Sequence, residues 1–329
     1  MSTKKTPRSL QSVIRAGIFL GAMTAVNAFA AYPEKPITLV VPYPAGGATD
    51  TLARKLVEPM SKVLGQTVLV ENKAGAGTAI GAAAVARSPA DGYSLLISSN
   101  TTFTVNPALK SKLQYDPAKD FEGIGVIGTS PLVLLANPSL PANNIQELVA
   151  LAKKEPGKLS FGSFGNGTTS HLAGEMFKVM AGVEIVHVPY KGSAPAMNDL
   201  IGGQIPLTFD TNVASMPQLA AGKVKALAIT AKQRYAQMPT VPTMAESGYP
   251  DYEMVPWVVV VAPKGLPEDV RKKLSAALES VMKQPAVQAD MTKAGLVVNF
   301  EPGSAYAERV AKELPLLKEY VKKANIPVE

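Results

Sequence analysis

From residue 37 to residue 230 the chain alternates short β-branched runs with longer alanine-rich stretches, and this alternation limits the fold more than any other feature. Ile37–Val41, Val68–Val70, Ser94–Ser98, Leu159–Gly162, Ile185–Val188, Pro206–Asp210 and Ala226–Thr230 read as strands. Thr51–Leu64, Ala79–Arg87, Ile145–Lys154, His171–Met180, Ala194–Ile201 and Met216–Ala221 read as the helices between them. Apolar strands separated by helices form mixed, mostly parallel buried sheets, so the expected class is α/β. Single cores stop growing near about 250–300 residues, which makes two lobes the expectation here. No low-complexity linker divides the sequence, so the lobes are expected to be joined by short crossing strands. Gly123–Leu135 and Val255–Ala262 are the candidates. Residues 31–129 with 256–329 would then form a discontinuous first lobe, and 130–255 an inserted second lobe. The C-terminal helices, about Glu268–Lys283 and Ala305–Lys323, would cover the first.

The N-terminus has the features of an export signal. Lys4, Lys5, Arg8 and Arg15 stand without an acid, Ala16–Val26 is apolar, and Ala28-Phe29-Ala30 offers a small-x-small cleavage pattern. The apolar run is about eleven residues, short of the about twenty that span a bilayer. Residues 1–30 are therefore expected to be a cleaved signal peptide, with no twin-arginine pair and a periplasmic destination. The sequence has no cysteine, so a lipid anchor at the cleavage site is not expected, nor are disulfides or thiolate chemistry. Loss of the leader's four cations lowers the formal charge from +7 to +3, and the other basic residues are dispersed among acids. That argues against nucleic acid as a partner. With only His171 and His187 as histidines, no metal or cofactor is expected, and a monomer is.

In open α/β sheets ligands bind beyond the carboxyl ends of strands, where helix N-termini converge. Two glycine-rich loops occupy such places. Pro42-Tyr43-Pro44-Ala45-Gly46-Gly47-Ala48-Thr49-Asp50 leaves one strand, and Gly162-Ser163-Phe164-Gly165-Asn166-Gly167-Thr168-Thr169-Ser170 leaves another. Bare backbone and a helix start favour an anion. Facing each other from opposite lobes, the loops would form a clamp, although either could be a plain surface turn. Asp50 fits a helix cap or loop brace as well as a ligand contact. Ser99-Asn100-Thr101-Thr102 and Phe209-Asp210-Thr211-Asn212 follow two further strands. None of the four loops carries Lys or Arg, so an anion there would rest on neutral donors and helix dipoles.

Catalytic signatures are missing. Ser163 has Phe161, not glycine, two residues before it, and neither H-E-x-x-H nor a Walker loop occurs. His171 reads as a cap or ligand-lining residue at a helix start, and His187 as a core residue. Gly75-Ala76-Gly77-Thr78-Ala79-Ile80-Gly81 approaches a dinucleotide fingerprint, but its third glycine falls one residue late, so it reads as tight helix–strand packing. The chain is not expected to be an enzyme; a hydrolase is the catalytic alternative.

Several blocks resemble the Bug-type extracytoplasmic receptors of the tripartite tricarboxylate transporter family. They are Tyr32-Pro33-Glu34-Lys35-Pro36-Ile37, Val41 to Asp50, Glu71-Asn72-Lys73-Ala74-Gly75-Ala76-Gly77, Ser88-Pro89-Ala90-Asp91-Gly92-Tyr93, Gly165 to Thr168 with His171-Leu172-Ala173-Gly174-Glu175, and Val188-Pro189-Tyr190-Lys191-Gly192. The resemblance implies a two-lobed periplasmic binding protein of the Venus-flytrap type. It implies a di- or tricarboxylate, acidic amino acid or aromatic carboxylate as ligand, and membrane permease subunits as partners. A ligand-sensing accessory for a signalling partner is the alternative. Carried onto this sequence, ligand contacts fall to Tyr43, Ala45, Gly46 and Gly47 and to Ser163, Asn166, Gly167, Thr168 and Thr169, with Asp210 at an acidic position. Asp50, Ser99, Asn100 and Thr101 complete the candidate set. Pro206, Val258-Val259 and Phe164 depart from the family pattern, and Phe164 with Tyr43 would suit an aromatic or longer apolar ligand body.

Overall fold

Residues 1–2 and 32–328 are described by the computed structural model, so all but the first two residues of the expected leader lie outside the described residues. The strands are β1 (Ile37–Val41), β2 (Val68–Asn72), β3 (Ser94–Ser99), β4 (Phe121–Thr129), β5 (Leu132–Ala136), β6 (Ser160–Ser163), β7 (Val186–Pro189), β8 (Leu207–Thr211), β9 (Lys225–Ile229), β10 (Trp257–Pro263) and β11 (Val297–Pro302). The helices are α1 (Ala48–Leu64), α2 (Ala79–Ala86), α3 (Asn106–Leu109), α4 (Ile145–Lys154), α5 (Thr169–Ala181), α6 (Ser193–Ile201), α7 (Asn212–Ala220), α8 (Glu268–Met282), α9 (Pro285–Lys293) and α10 (Ser304–Lys323).

Two sheets form, in the orders β11-β4-β10-β3-β1-β2 and β7-β6-β8-β5-β9. The parallel pairs centre on β1 and β6, each flanked by strands that return through a helix. The antiparallel pairs arise where the chain changes sheet and where β11 closes the first sheet against β4. β10 enters the first sheet between β3 and β4 and runs against both. β5 enters the second sheet directly after β4 and runs against β8 and β9. The result is a bilobed α/β protein with mixed sheets.

Period-two patterning explains how β10 serves two cores at once. Val258 and Val260 join Ile37, Leu52 and Leu278 on one face of the first sheet. Trp257, Val259 and Val261 join Phe103, Phe121 and Tyr306 on the other. In the second sheet Leu132 and Leu134 pack with Leu172 and Phe209, while Val133 and Leu135 pack with Met197 and Ile229. Such two-sided burial requires the continuous apolar sequence Leu132-Val133-Leu134-Leu135.

The two passages between the lobes touch each other. The Ser130 amide donates to the Pro256 carbonyl at 2.8 Å, directly after β4 and directly before β10. The C-terminal helix differs from its expected place over the first lobe alone. Ala305, Tyr306 and Val310 of α10 pack in the core of the first sheet, whereas Val321, with Ile326 beyond the helix, packs beside Leu109 and Leu134 in that of the second. Twenty residues of helix extend about 30 Å, long enough to bridge both lobes.

Candidate functional site

The carboxyl ends of β1, β3, β6 and β8 face the space between the lobes, and a cavity lies there. It has about 40 Å³ of room for the centre of a water-sized sphere. One water requires about 10–15 Å³ on that measure, so the space holds roughly three. Its walls carry the starts of four helices: Gly47, Ala48 and Thr49 at α1, Thr169 at α5, Ser193 and Ala194 at α6, and Thr211 before α7. Tyr43, Ser99, Ser130, Phe164, Pro256 and Val258 help to complete it. No Asp, Glu, Lys, Arg or His lines this cavity.

The first four amides of a helix have no intrahelical acceptor, so their placement decides what the site can hold. Several loop amides are already used. The Gly46 amide donates to Asp50 Oδ2 at 2.9 Å, and the Gly167 amide to His171 Nδ1 at 3.3 Å. The Gly165 amide reaches Ser163 Oγ at 3.1 Å, and the Thr169 amide reaches Thr101 Oγ1 at 3.1 Å. The amides of Ala48 and Thr49 in α1, and of Ser193 and Ala194 in α6, have no acceptor among the described residues. These donors come from opposite lobes and open onto one cavity.

Asp50 is buried and engaged at both oxygens. Arg54 Nε donates to Oδ2 at 2.9 Å, and Asn72 Nδ2 to Oδ1 at 2.9 Å. Burial opposes its charge, but the donors from Arg54, Gly46 and Asn72 outweigh it and hold the carboxyl below its ordinary range. Asp50 thus ties the first glycine loop to β2. Tyr43 meets Ser99 Oγ at 3.0 Å, and burial pushes the phenol up, so it remains a neutral donor.

Beneath the second loop lies a stacked histidine pair, with ring centroids 4.1 Å apart. Ser163 Oγ accepts the Gly165 amide and shares a 2.6 Å hydrogen bond with His187 Nε2. Burial, with His171 and Lys178 adding, lowers His187 to about 3, so its ring is neutral. The His171 amide caps onto Thr168 Oγ1 at 3.3 Å. Asp210 is fully buried and accepts from Ser193 Oγ and the Thr211 amide, both at 2.7 Å. Desolvation pushes this carboxyl up to about 7, against the pull of those two donors.

The candidate residues thus fall into several places. Tyr43, Gly47, Ser99 and Thr169 line the cavity. Thr101 and Asp210 sit one bond behind it, through Thr169 and through Ser193 and Thr211, while Asp50, Ser163 and Gly167 brace the two glycine loops farther back. Gly46 and Thr168 line two neighbouring spaces that share wall residues with it. Ala45 is exposed at a loop tip, and Asn166 is exposed with its carbonyl against Gly77 of the other lobe. Asn100 faces a separate groove beside Trp257, because the chain after β3 winds into a π-helical turn, Thr101–Val105, instead of an open loop.

Ser193, Ala194, Ser130, Thr49 and Thr211 line the cavity without having been singled out by sequence. For Ser193 and Ala194 a signal existed. Lys191-Gly192-Ser193 joins a strand to a helix, like the two loops that were read, and Gly192 has φ +114°. A Cβ at Gly192 would stand 3.0 Å from the Pro44 ring of the opposite lobe. Thr101 and Thr169 also meet across the lobes, their hydroxyls 3.0 Å apart. The lobes are therefore closed around the cavity. Gly81 packs as expected, since a Cβ there would lie 2.7 Å from the Lys73 carbonyl oxygen. Gly77 instead serves the interlobe contact.

A bilobed α/β chain closed over a neutral, donor-lined cavity defines a solute-binding protein. The chain belongs to the tripartite tricarboxylate transporter receptor family, whose model matches residues 52–326. Members of this family are periplasmic transport receptors, not enzymes. Among solved structures, the periplasmic binding protein BugD is 41% identical, with a TM-score of 0.86 over 91% of this chain and all of that one. Rpa4515 of R. palustris with adipate is 35% identical, with a TM-score of 0.87 over 91% of this chain and all of that one. MatC of Rhodopseudomonas palustris with bound malate is 33% identical, with a TM-score of 0.84 over 88% of this chain and all of that one.

Proposed function

We propose that this receptor captures a small carboxylate between the starts of α1 and α6 and delivers it to a tripartite-type membrane permease. The observation that carries the reading is the set of acceptor-free amides at Ala48, Thr49, Ser193 and Ala194, which open from both lobes into a cavity without a charged wall. Each hydrogen bond to a carboxylate contributes about 1.5–3 kcal/mol, and the helix starts add favourable dipole. The Thr49 hydroxyl, and the hydroxyl left over in each of the Tyr43–Ser99 and Thr101–Thr169 pairs, offer further donors. Asp50, Ser163, Thr101 and Asp210 position those groups from behind. Because the donors belong to two lobes, only the closed form completes the site, so closure and occupancy are linked. Residues 31–129 and 256–329 form one lobe in this reading and 130–255 the other, with the pivot at Ser130 and Pro256. The resemblance to adipate- and malate-bound relatives supports the carboxylate class.

A thermal-shift and calorimetric screen of mono-, di- and tricarboxylates tests the reading. A ligand at 100 times its dissociation constant should add about 2.7 kcal/mol to stability, and small-angle scattering should show compaction on binding. If no carboxylate raises the melting temperature, the reading fails.

A further inference from the structure

We infer that Phe164 is the specificity wall of this site, confining the ligand to a compact carboxylate whose remaining body is apolar and uncharged. The inference rests on the carboxylate reading above and narrows it. Phe164 borders two spaces. On its inner side is the closed cavity, and on its outer side a chamber with about 360 Å³ of room on the same measure, lined by Gly75 to Thr78 and by Tyr190, Lys191 and Gly192. Tyr43 and Pro44 are shared between the two, so the ring stands as a partition and not as an end wall.

The inner cavity is apolar away from the helix starts. Leu52, Pro256, Val258 and the Tyr43 and Phe164 rings form that part of its surface. A second carboxylate enclosed there would meet no cation and would leave water without a charged partner. The anionic end is provided for, while the rest of the wall asks for hydrocarbon. Across the partition Lys191 lines the outer chamber and is exposed. The backbone fixes the ring's position on both sides. β6 ends at Ser163, whose hydroxyl takes the Gly165 amide, and Gly165 has φ +120° against the Tyr190 carbonyl.

The test is calorimetry on the purified mature protein with pairs matched in carbon skeleton and small enough for the cavity: acetate against oxalate, and propanoate against malonate. The wild type should bind each monocarboxylate at least tenfold more tightly than its dicarboxylate partner. Phe164→Ala joins the two spaces and should shrink that ratio at least fivefold while improving binding of longer dicarboxylates. Phe164→Leu, which keeps apolar bulk, should shift the ratio in the same direction by less. A wild type that prefers the dicarboxylates, or a ratio unmoved in both variants, overturns the inference while leaving the carboxylate reading standing. Absence of binding by every carboxylate overturns both.

Discussion

Asp210→Asn should change how the stability of this protein depends on pH, and the size of the change follows from where the carboxyl sits. Asp210 is fully buried on β8, with Ser193 Oγ and the Thr211 amide as its short donors and the Thr211 hydroxyl at 3.5 Å, and its folded pKa is about 7 against an ordinary 3.8. Between those values the folded state keeps a proton that the unfolded chain has released, so stability falls as pH rises. The stabilising proton is fully present below about pH 4, and its contribution is lost by about pH 8. About three pH units at 1.36 kcal/mol each make this loss about 4 kcal/mol. Asparagine is nearly isosteric and cannot ionise, so the variant should lack this slope. Urea unfolding of both proteins at intervals from pH 4 to pH 8 isolates the group, because all other titrations cancel in the difference. The gap between wild type and variant should move by about 4 kcal/mol in favour of the variant as pH rises. Parallel curves would refute the assignment of a proton to buried Asp210.

Other perturbations probe other parts of the site. Asp50→Ala removes the acceptor of Gly46, Arg54 and Asn72, and should cost about 1.5–3 kcal/mol in thermal unfolding along with a loss of ligand affinity in calorimetry. Gly167→Val forces a β-branched residue into φ +77°, with its Cβ 2.5 Å from Asn106 Oδ1. About 1–3 kcal/mol of strain should appear as lost stability, with affinity reduced at least tenfold because the contact lies between the lobes. Trp257→Phe deletes the indole N–H that reaches Glu313 at 2.7 Å, leaving a carboxylate already pushed up by burial. Chemical denaturation should register about 1–3 kcal/mol of destabilisation.

Much of the architecture was legible because the local patterns were strong. Ile37–Val41 could only be a buried strand, and the glycine loops after β1 and β6 marked the open end of each sheet. The antiparallel course of β10 was not legible, since four valines look alike in either direction and only the return path of the chain decides. The α6 start was overlooked although Ile185–Val188 and Ala194–Ile201 were legible as strand and helix, because the join between them, Lys191-Gly192-Ser193, carries a single glycine where the other two loops are glycine-rich. Ser130 reaches the cavity only through the arrangement of the crossing segments, which no local spacing encodes, whereas Thr211 stands in the loop after β8 that local pattern had already placed at an open sheet end. Asn100 showed the converse: a polar residue after a strand was turned aside by a helical turn.

The C-terminal helix makes this a receptor with three mechanical ties. Besides the crossings at Ser130 and Pro256, α10 spans from Tyr306 in one core to Val321 in the other, and Pro315 interrupts its hydrogen-bond ladder between those anchors. Opening the lobes must therefore either bend a rod at its weakest joint or lift one end out of its socket. The helix acts as a leaf spring, limiting how far the jaws part and choosing the axis on which they turn. Pro315→Ala would stiffen that spring, and a narrower range of ligand-free shapes in solution scattering is the expected mark.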